Sequence, residues 1–357
     1  MVVRFSICFI ILLSFCSVAR ANQFERLLTH LKDKRVALVV NHTAIIEKRH
    51  VVDTLLSEGI NVVCIMAPEH GFRGNAAPGE TVGDSKDERT GLPIISLYGK
   101  NKKPTVGQLE NVDVVVFFIQ DVGARFYTYI STMHYVMETC AETGKTFIVY
   151  DRPNPCDYID GPIRDEKHIS FVGVDPIPLL HGCTVGELAR MINGEGWLEG
   201  EKQCELVVVK TDDWKHHQPY HVEVRPSPNL PNDHAIALYP SLCPFEGTPV
   251  SVGRGTPTPF ELLRYDEIGY MRESFDEPAG FTLKYVMEAY RAFEKAGIKE
   301  KFFNRNLFFD LLMGTSTVRR RIIDGWSEEE IRKEWQDGLN HYKQMRRKYV
   351  LYENYDN

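Results

Sequence analysis

Polar side chains follow four apolar, valine- and isoleucine-rich segments in the first half of the chain, each at the point where the segment ends. These side chains are Asn41 and His42, Glu69 and His70, Gln120 and Asp121, and Asp151, Arg152 and Asn154. Open α/β sheets bind ligands in the crevice outside the carboxyl ends of their strands. Carboxyl and imidazole groups can transfer protons, and amides can bind sugar-like hydroxyls. The pattern therefore predicts one active site that the four ends share.

Glu69 is the sharpest single candidate. It follows an apolar segment and Pro68, and it precedes His70 and Gly71. A carboxyl group at such a position can be partly desolvated, which would raise its pKa towards the working range of a general acid. The alternative is a carboxylate paired with Arg73 or with a helix N-terminus.

The segment from Asp121 to Tyr129 is the second candidate cluster. It opens a predicted helix, so its backbone N–H groups could hold an anion together with Arg125. The alternative is that Asp121 caps the helix and that Tyr127 and Tyr129 are core residues. The two interpretations can hold together.

Two further segments carry candidate ligand contacts. Asp151-Arg152-Pro153-Asn154-Pro155 leaves its apolar segment through two prolines, which fix a rigid loop that can hold Asp151 or Asn154 against a ligand. An internal pair between Asp151 and Arg152 is the alternative. His181 precedes a predicted helix N-terminus and could be a ligand contact or a cap.

Continuous apolar strands that alternate with helices must position these groups. Strands are predicted over 36–40, 62–66, 94–97, 114–119, 147–150 and 206–209. Uninterrupted Val and Ile runs indicate strands covered on both faces, and the alternation with helices indicates a parallel sheet. We predict a Rossmann-like, doubly wound α/β catalytic domain over 22–211. After a Pro- and Gly-rich region, 212–357 is predicted to form a smaller α+β domain that completes the cleft.

Several classes of function are disfavoured by what the sequence lacks. The first strand does not lead into G-x-G-x-x-G, and there is no P-loop, nucleophile elbow or zinc-protease motif, so we expect neither a nucleotide cofactor nor a metal. His216-His217 falls in a polar connector and is expected to be solvated. The formal net charge of −7 argues against nucleic acid as a partner.

The N-terminal residues have the pattern of a secretory signal. Arg4 is followed by an apolar stretch from Phe5 to Val18 and by Ala19-Arg20-Ala21, which resembles a cleavage site. We therefore expect 1–21 to be a signal peptide and the remaining chain to be secreted, with the periplasm as its destination. No other apolar stretch is long enough to span a bilayer.

A larger set of motifs, in the same order along nearly the whole mature chain, resembles the exo-β-N-acetylmuramidase (NamZ) family. The matching blocks are Asn41-His-Thr43, Pro68-Glu-His-Gly-Phe-Arg-Gly74, Thr90-Gly-Leu-Pro93, Ser96-Leu-Tyr-Gly99, Gln120 to Thr132, Asp151-Arg-Pro-Asn-Pro155, Pro178-Leu-Leu-His-Gly182, Thr184 to Ala189, Ser227-Pro-Asn229, Glu246-Gly-Thr248 and Gly253-Arg-Gly255. Asp157-Tyr158 departs from the family pattern. The resemblance implies a Rossmann-like domain without a nucleotide, and an active cleft between it and the C-terminal domain.

The same resemblance implies removal of terminal N-acetylmuramic acid from the non-reducing end of peptidoglycan fragments. The resemblance makes Glu69 the general acid/base but indicates no partner for it. Glycoside hydrolysis usually needs two carboxyl groups, and we expect Asp121 or Asp151 as the second; the alternative is that they orient sugar hydroxyls. Arg125 or Arg254 is expected to pair with the lactyl carboxylate of the sugar. The expected substrate-binding residues are Asn41, His42, His70, Arg73, Gln120, Arg125, Tyr127, Tyr129, Arg152, Asn154, His181, Ser227, Asn229, Glu246 and Arg254. A non-catalytic protein that binds wall fragments in the same cleft is the alternative.

Overall fold

A computed structural model describes residues 22–69, 71–72, 85–276 and 280–354 of the chain. Its strands are β1 (Arg35–Val40), β2 (Ile45–Ile46), β3 (Arg49–His50), β4 (Asn61–Ala67), β5 (Ser85–Lys86), β6 (Pro93–Ser96), β7 (Val114–Phe118), β8 (Thr146–Tyr150), β9 (Ile159–Ile163), β10 (Pro178–His181), β11 (Leu206–Val209), β12 (Leu263–Tyr265) and β13 (Tyr270–Arg272). Its α-helices are α1 (Gln23–Leu31), α2 (Val51–Ser57), α3 (Tyr129–Thr143), α4 (Val185–Gly194), α5 (Asp233–Leu242), α6 (Lys284–Lys295), α7 (Asn306–Met313), α8 (Thr317–Ile323), α9 (Glu328–Lys333) and α10 (Gln336–Arg346).

The central sheet has the predicted Rossmann-like arrangement. Within the described residues its strand order is β11-β8-β7-β1-β4-β6-β5. All neighbouring strands are parallel except β5, which runs antiparallel to β6 at the edge. Apart from that edge strand, the order is the one of a doubly wound fold with its reversal beside β1. The fold-class prediction is confirmed.

Both faces of the sheet are covered, as the unbroken apolar strands predict. Successive residues of β1 enter two different core clusters, Ala37 and Val39 on one face and Val36, Leu38 and Val40 on the other. Helices α1 and α2 contribute to the second cluster. The first cluster also contains apolar residues of α3, α4 and most of the C-terminal helices, so the C-terminal domain shares a core with the sheet.

The register of the sheet brings the candidate residues to one edge. Val39 of β1 pairs with Met66 of β4 and with Phe117 of β7. The three strands therefore end at nearly the same level, and the residues that follow them emerge on the same side of the molecule.

The C-terminal part contains α5 to α10 and the short β12–β13 hairpin, which agrees with a smaller α+β domain. Helices α9 and α10 follow one another with only Glu334 and Trp335 between them. Among the helices that the structure describes, none has the length and apolar character needed to cross a membrane. The six cysteines at 64, 140, 156, 183, 204 and 243 are all buried free thiols.

Candidate active site

A cavity of about 580 Å³ opens between the carboxyl edge of the sheet and the C-terminal domain. Its wall combines residues that follow β4, residues around the start of α3, and loops from the C-terminal half. Among the described lining residues, Glu69 and Glu246 carry carboxyl groups and Lys102 and Arg254 carry positive charge. The rest of the wall is rich in aromatic rings, which suits the apolar faces of a sugar.

Glu69 lies two residues past the end of β4, where the turn after Pro68 points it towards the cavity. Its Oε2 accepts a hydrogen bond of 3.0 Å from Thr128 Oγ1. Burial and the interaction with Glu69, including a hydrogen bond, raise the pKa of Tyr98 to about 12. Two neutral donors on the cavity wall therefore orient this carboxyl group, which leaves it free to exchange a proton with a ligand.

Glu246 brings a second carboxyl group to the same cavity, although the sequence suggested it only as a substrate-binding residue. It follows α5 in a short 3₁₀ turn and forms an ion pair with Arg254. Burial raises the pKa of Glu246, Arg254 opposes that shift, and the negative charge of Glu69 adds to it. Glu69 and Glu246 therefore face the same cavity, and Glu246 lies within electrostatic reach of Glu69.

Two tyrosines at the start of α3 form part of the cavity wall. The Tyr127 hydroxyl donates to the Pro226 carbonyl at 2.8 Å, and the Tyr129 hydroxyl lies 3.4 Å from the same oxygen. The next turn carries Ser227 and Asn229, which also line the cavity. These contacts fasten the 226–229 loop to the sheet domain, so the four predicted residues Tyr127, Tyr129, Ser227 and Asn229 do lie together.

Asp121, one of the two candidates for second carboxylate, lies beneath the cavity and not on its wall. Its Oδ2 accepts from the Gly123 N–H at 2.7 Å and lies 3.6 Å from His181 Nε2. Burial disfavours the imidazolium form of His181, but Asp121 outweighs that effect and raises its pKa to about 9. The Cys183 N–H donates to His181 Nδ1. Asp121 and His181 thus form a buried pair that supports the wall.

Asp151, the other candidate, is fully buried away from the cavity. Its carboxylate accepts hydrogen bonds from Thr184 Oγ1 at 2.7 Å, the Gly186 N–H at 2.8 Å and the Tyr352 hydroxyl at 2.5 Å. The Arg152 N–H also donates to it. Asp151 was a candidate catalytic carboxylate, but it is fully buried and is not among the described residues of the cavity wall. Asp151 instead joins α4 to the C-terminal tail.

Arg125, the expected partner of a substrate carboxylate, contacts backbone carbonyls and is not among the described residues of the cavity wall. Its guanidinium is 1% exposed and donates to the carbonyls of Pro162, Ile177 and Leu312 at 2.8–2.9 Å. Burial lowers its pKa to about 9. Arg125 therefore links the sheet domain to α7 and does not face the cavity.

The remaining candidates at the strand ends are occupied by contacts within the protein. Asn41 Oδ1 accepts from Thr43 N and Oγ1, His42 Nε2 contacts the Arg225 carbonyl, Gln120 Nε2 donates to the carbonyls of Asp121 and Pro153, Arg152 donates to the Thr43 carbonyl, and Asn154 Nδ2 donates to the Cys183 carbonyl. None of these five side chains is among the described residues of the cavity wall. His70 and Arg73 lie outside the described residues.

Comparisons with known proteins agree with this two-part site. The model of the family described as exo-beta-N-acetylmuramidase NamZ, N-terminal, matches residues 36–234, and the C-terminal model of the same family matches 237–277 and 270–352. The chain belongs to the NamZ family. Glu69 falls within the N-terminal match, whereas Glu246 and Arg254 fall within the C-terminal match, so the cavity is built from both regions of a NamZ protein.

Individual NamZ relatives give the same result. The chain is 38% identical to the peptidoglycan beta-N-acetylmuramidase NamZ of Bacillus subtilis strain 168, over 90% of this chain and 88% of that protein. Two solved structures of DUF1343 family proteins from Bacteroides fragilis NCTC 9343 are also similar. One has a TM-score of 0.83 at 38% identity and the other 0.82 at 30%, and each match covers 93% of this chain and 98% of the other.

Sequence reasoning missed several cavity residues of this NamZ chain, among them Tyr98, Lys102 and Thr128. Tyr98 was visible inside the Ser96–Gly99 block, and Thr128 lies between the two tyrosines that were singled out. Lys102 gave no signal, since it belongs to a polar loop after β6 that reads as an ordinary solvated segment. No cluster of three or more potential metal ligands occurs among the residues that the structure describes.

Proposed function

We propose that this chain is an exo-acting glycoside hydrolase that releases terminal N-acetylmuramic acid from the non-reducing end of peptidoglycan fragments. Family membership supports the reaction class, and one structural observation carries the assignment of the site. Glu69 faces a sugar-sized cavity in which a second carboxyl group, Glu246, is also present. Glycosidases ordinarily need two carboxyl groups at the scissile bond.

Glu69 acts as the general acid. Its two hydroxyl neighbours, Thr128 and Tyr98, fix the carboxyl group without neutralising it. A proton on Glu69 can pass to the glycosidic oxygen as the bond breaks, and the aromatic wall keeps bulk water away from the developing positive charge. Glu246 is the second carboxyl group in place of Asp121 and Asp151; burial raises its pKa and the ion pair with Arg254 opposes that shift.

The test measures turnover of a chromogenic β-muramide and of the matching β-glucosaminide by the purified mature chain. Hydrolysis of the muramide supports the proposal, whereas binding without turnover supports the non-catalytic alternative. Glu69→Gln keeps the size of the side chain but removes the acid, so we expect kcat to fall by about 10² to 10⁴.

Glu288→Gln is the matched control. Glu288 lies on α6, is half-buried and pairs with Arg272, remote from the cavity wall. The same chemical change there should leave turnover at the wild-type level. Wild-type turnover by a folded Glu69→Gln protein would remove Glu69 from the catalytic role.

We also propose that the chain is exported to the periplasm. The support is the pattern of 1–21, a positive residue, a short apolar stretch and an Ala-Arg-Ala sequence. This segment lies outside the described residues. Export is consistent with an enzyme that acts on fragments of the cell wall. Fractionation of cells that express the full chain would test it, because cytoplasmic retention of an uncleaved product would contradict export.

A further inference from the structure

Among the charged groups on the described part of the cavity wall, one cation has no carboxylate partner. Glu246 and Arg254 form an ion pair, so their charges largely cancel. In the proposed mechanism Glu69 enters the reaction as the acid, so it carries a proton and no charge when the substrate binds. Among the described lining residues, Lys102 is the remaining charged group. In that state the described part of the cavity wall has one positive charge without a carboxylate partner, which matches a ligand with one negative charge.

Lys102 differs sharply from its neighbour in sequence. Lys103 contacts the carboxylates of Glu138 at 3.0 Å and Glu142 at 2.7 Å and is thereby neutralised by the protein. Lys102 has no carboxylate partner within the described part of the chain. It is half-buried, and its Nζ lies 4.5 Å from the centroid of the Phe171 ring, which also lines the cavity.

The Phe171 ring holds the ammonium group in place. A cation over an aromatic face is attracted to it but keeps its N–H donors available for another acceptor. The ring in turn stacks on Tyr135 of α3, with an interplanar angle of 2°. The sheet domain thus holds Lys102 against the cavity, and the aromatic contact does not neutralise its charge.

We propose that Lys102 binds the lactyl carboxylate of N-acetylmuramic acid and so determines the preference for this sugar. The inference rests on the proposed function and adds a residue to it. Arg125 is excluded by its three carbonyl partners. Arg254 is already paired with the partly buried Glu246, so a ligand carboxylate there would compete with Glu246 for the same positive charge.

The experiment varies the lysine and the ligand charge together. One substrate is a chromogenic β-muramide with the free lactyl acid, and the other is the nearly isosteric lactyl amide. Lys102→Met keeps the length of the side chain but removes its charge. Since hydrogen bonds to charged groups are stronger than neutral ones, we expect kcat/KM for the acid to fall about 10- to 100-fold. Turnover of the neutral amide should change less than about threefold, because the amide gains little from the charge.

Two further variants make the result specific. Lys103→Met removes the same charge one residue away and should leave the ratio of acid to amide turnover at the wild-type value. Lys102→Arg restores a cation and should recover most of the preference for the acid. A Lys102→Met protein with an unchanged ratio, or with equal losses on both substrates, would overturn the assignment. A wild-type protein that cleaves neither substrate would instead overturn the proposed function.

Discussion

His216 provides the sharpest prediction about stability, because a buried histidine joins two carboxylates from different parts of the fold. Its Nδ1 lies 3.0 Å from Asp157 Oδ2 and its Nε2 lies 2.9 Å from Glu187 Oε1. Glu187 also accepts from the Leu351 N–H, and Arg346 of α10 packs against the imidazole. The cluster thus fastens the C-terminal tail to α4, and His216→Gln should loosen it.

The expected magnitude follows from the protonation of this group. Burial opposes the charge on His216, but its bonds to the two carboxylates outweigh that effect and raise its pKa from 6.5 to about 9. A raised pKa in the folded state stabilises the protein fully below pH ~6.5, and the contribution is lost as the pH rises towards 9. At 1.36 kcal/mol per unit of pKa, the contribution is about 3 kcal/mol.

The assay is urea unfolding at a series of pH values from 6 to 9.5. His134 and His181 also have pKa values raised to about 9, so three histidines make the wild-type protein less stable with rising pH. Each contributes a slope of up to about −1.4 kcal/mol per pH unit. His216→Gln should therefore be less stable at pH 6 by about 3 kcal/mol and should lose about a third of this slope.

His221→Gln is the matched control for that experiment. His221 also pairs with a carboxylate, Asp233, but both side chains are largely exposed, and such pairs contribute little to stability. Its pH profile should follow the wild type. A His216→Gln protein with the full wild-type slope would refute the argument that His216 is protonated between its two carboxylates.

Two further substitutions test whether Asp151 and Arg125 have structural roles and not the functional roles that the sequence suggested. Asp151→Ala leaves the hydroxyls of Thr184 and Tyr352 without their acceptor, so the free energy of unfolding should fall by about 2–5 kcal/mol. At low temperature, kcat/KM of this variant should stay within a few-fold of the wild-type value. A loss of activity on the scale of a catalytic residue, in a folded sample, would contradict this role. Arg125→Met should lower Tm because three buried carbonyls lose their donor, and the muramide to glucosaminide ratio of the folded fraction should not change.

The parallel strands of the sheet could be predicted from sequence because they consist largely of apolar runs, whereas the edge strand β5 consists of Ser85 and Lys86. Strands buried on both faces must be apolar at every position, which sets β1, β4, β7 and β8 apart from their surroundings. The short pairs β9–β10 and β12–β13 carry no such signal and were missed. They contain Gly, Pro, Arg and His, and their conformation depends on the domain against which they pack.

The site was predicted only in part, because a strand end fixes the position of a residue but not the direction of its side chain. Glu69 reaches the cavity, whereas Asp121 and Asp151 turn inwards to donors that are distant in sequence. His216 shows the same limit, since the expectation of a solvated residue was wrong. Its carboxylate partners lie 59 and 29 residues away along the chain. The composition of the segment around His216 therefore does not indicate that the residue is buried and paired.

The contacts after β1 explain why the cavity lies beside the point where the strand order of the sheet reverses, and not at that point. In a dinucleotide-binding sheet, free backbone N–H groups after the first strand approach a pyrophosphate. Here the Thr43 N–H donates to Asn41 Oδ1, the Ala44 N–H to the Asn41 carbonyl, and the Gln120 N–H to Thr43 Oγ1. These bonds join the ends of β1 and β7 and use the donors that a phosphate would need. Glu69, which follows the neighbouring strand β4, lines the cavity together with groups of the C-terminal domain.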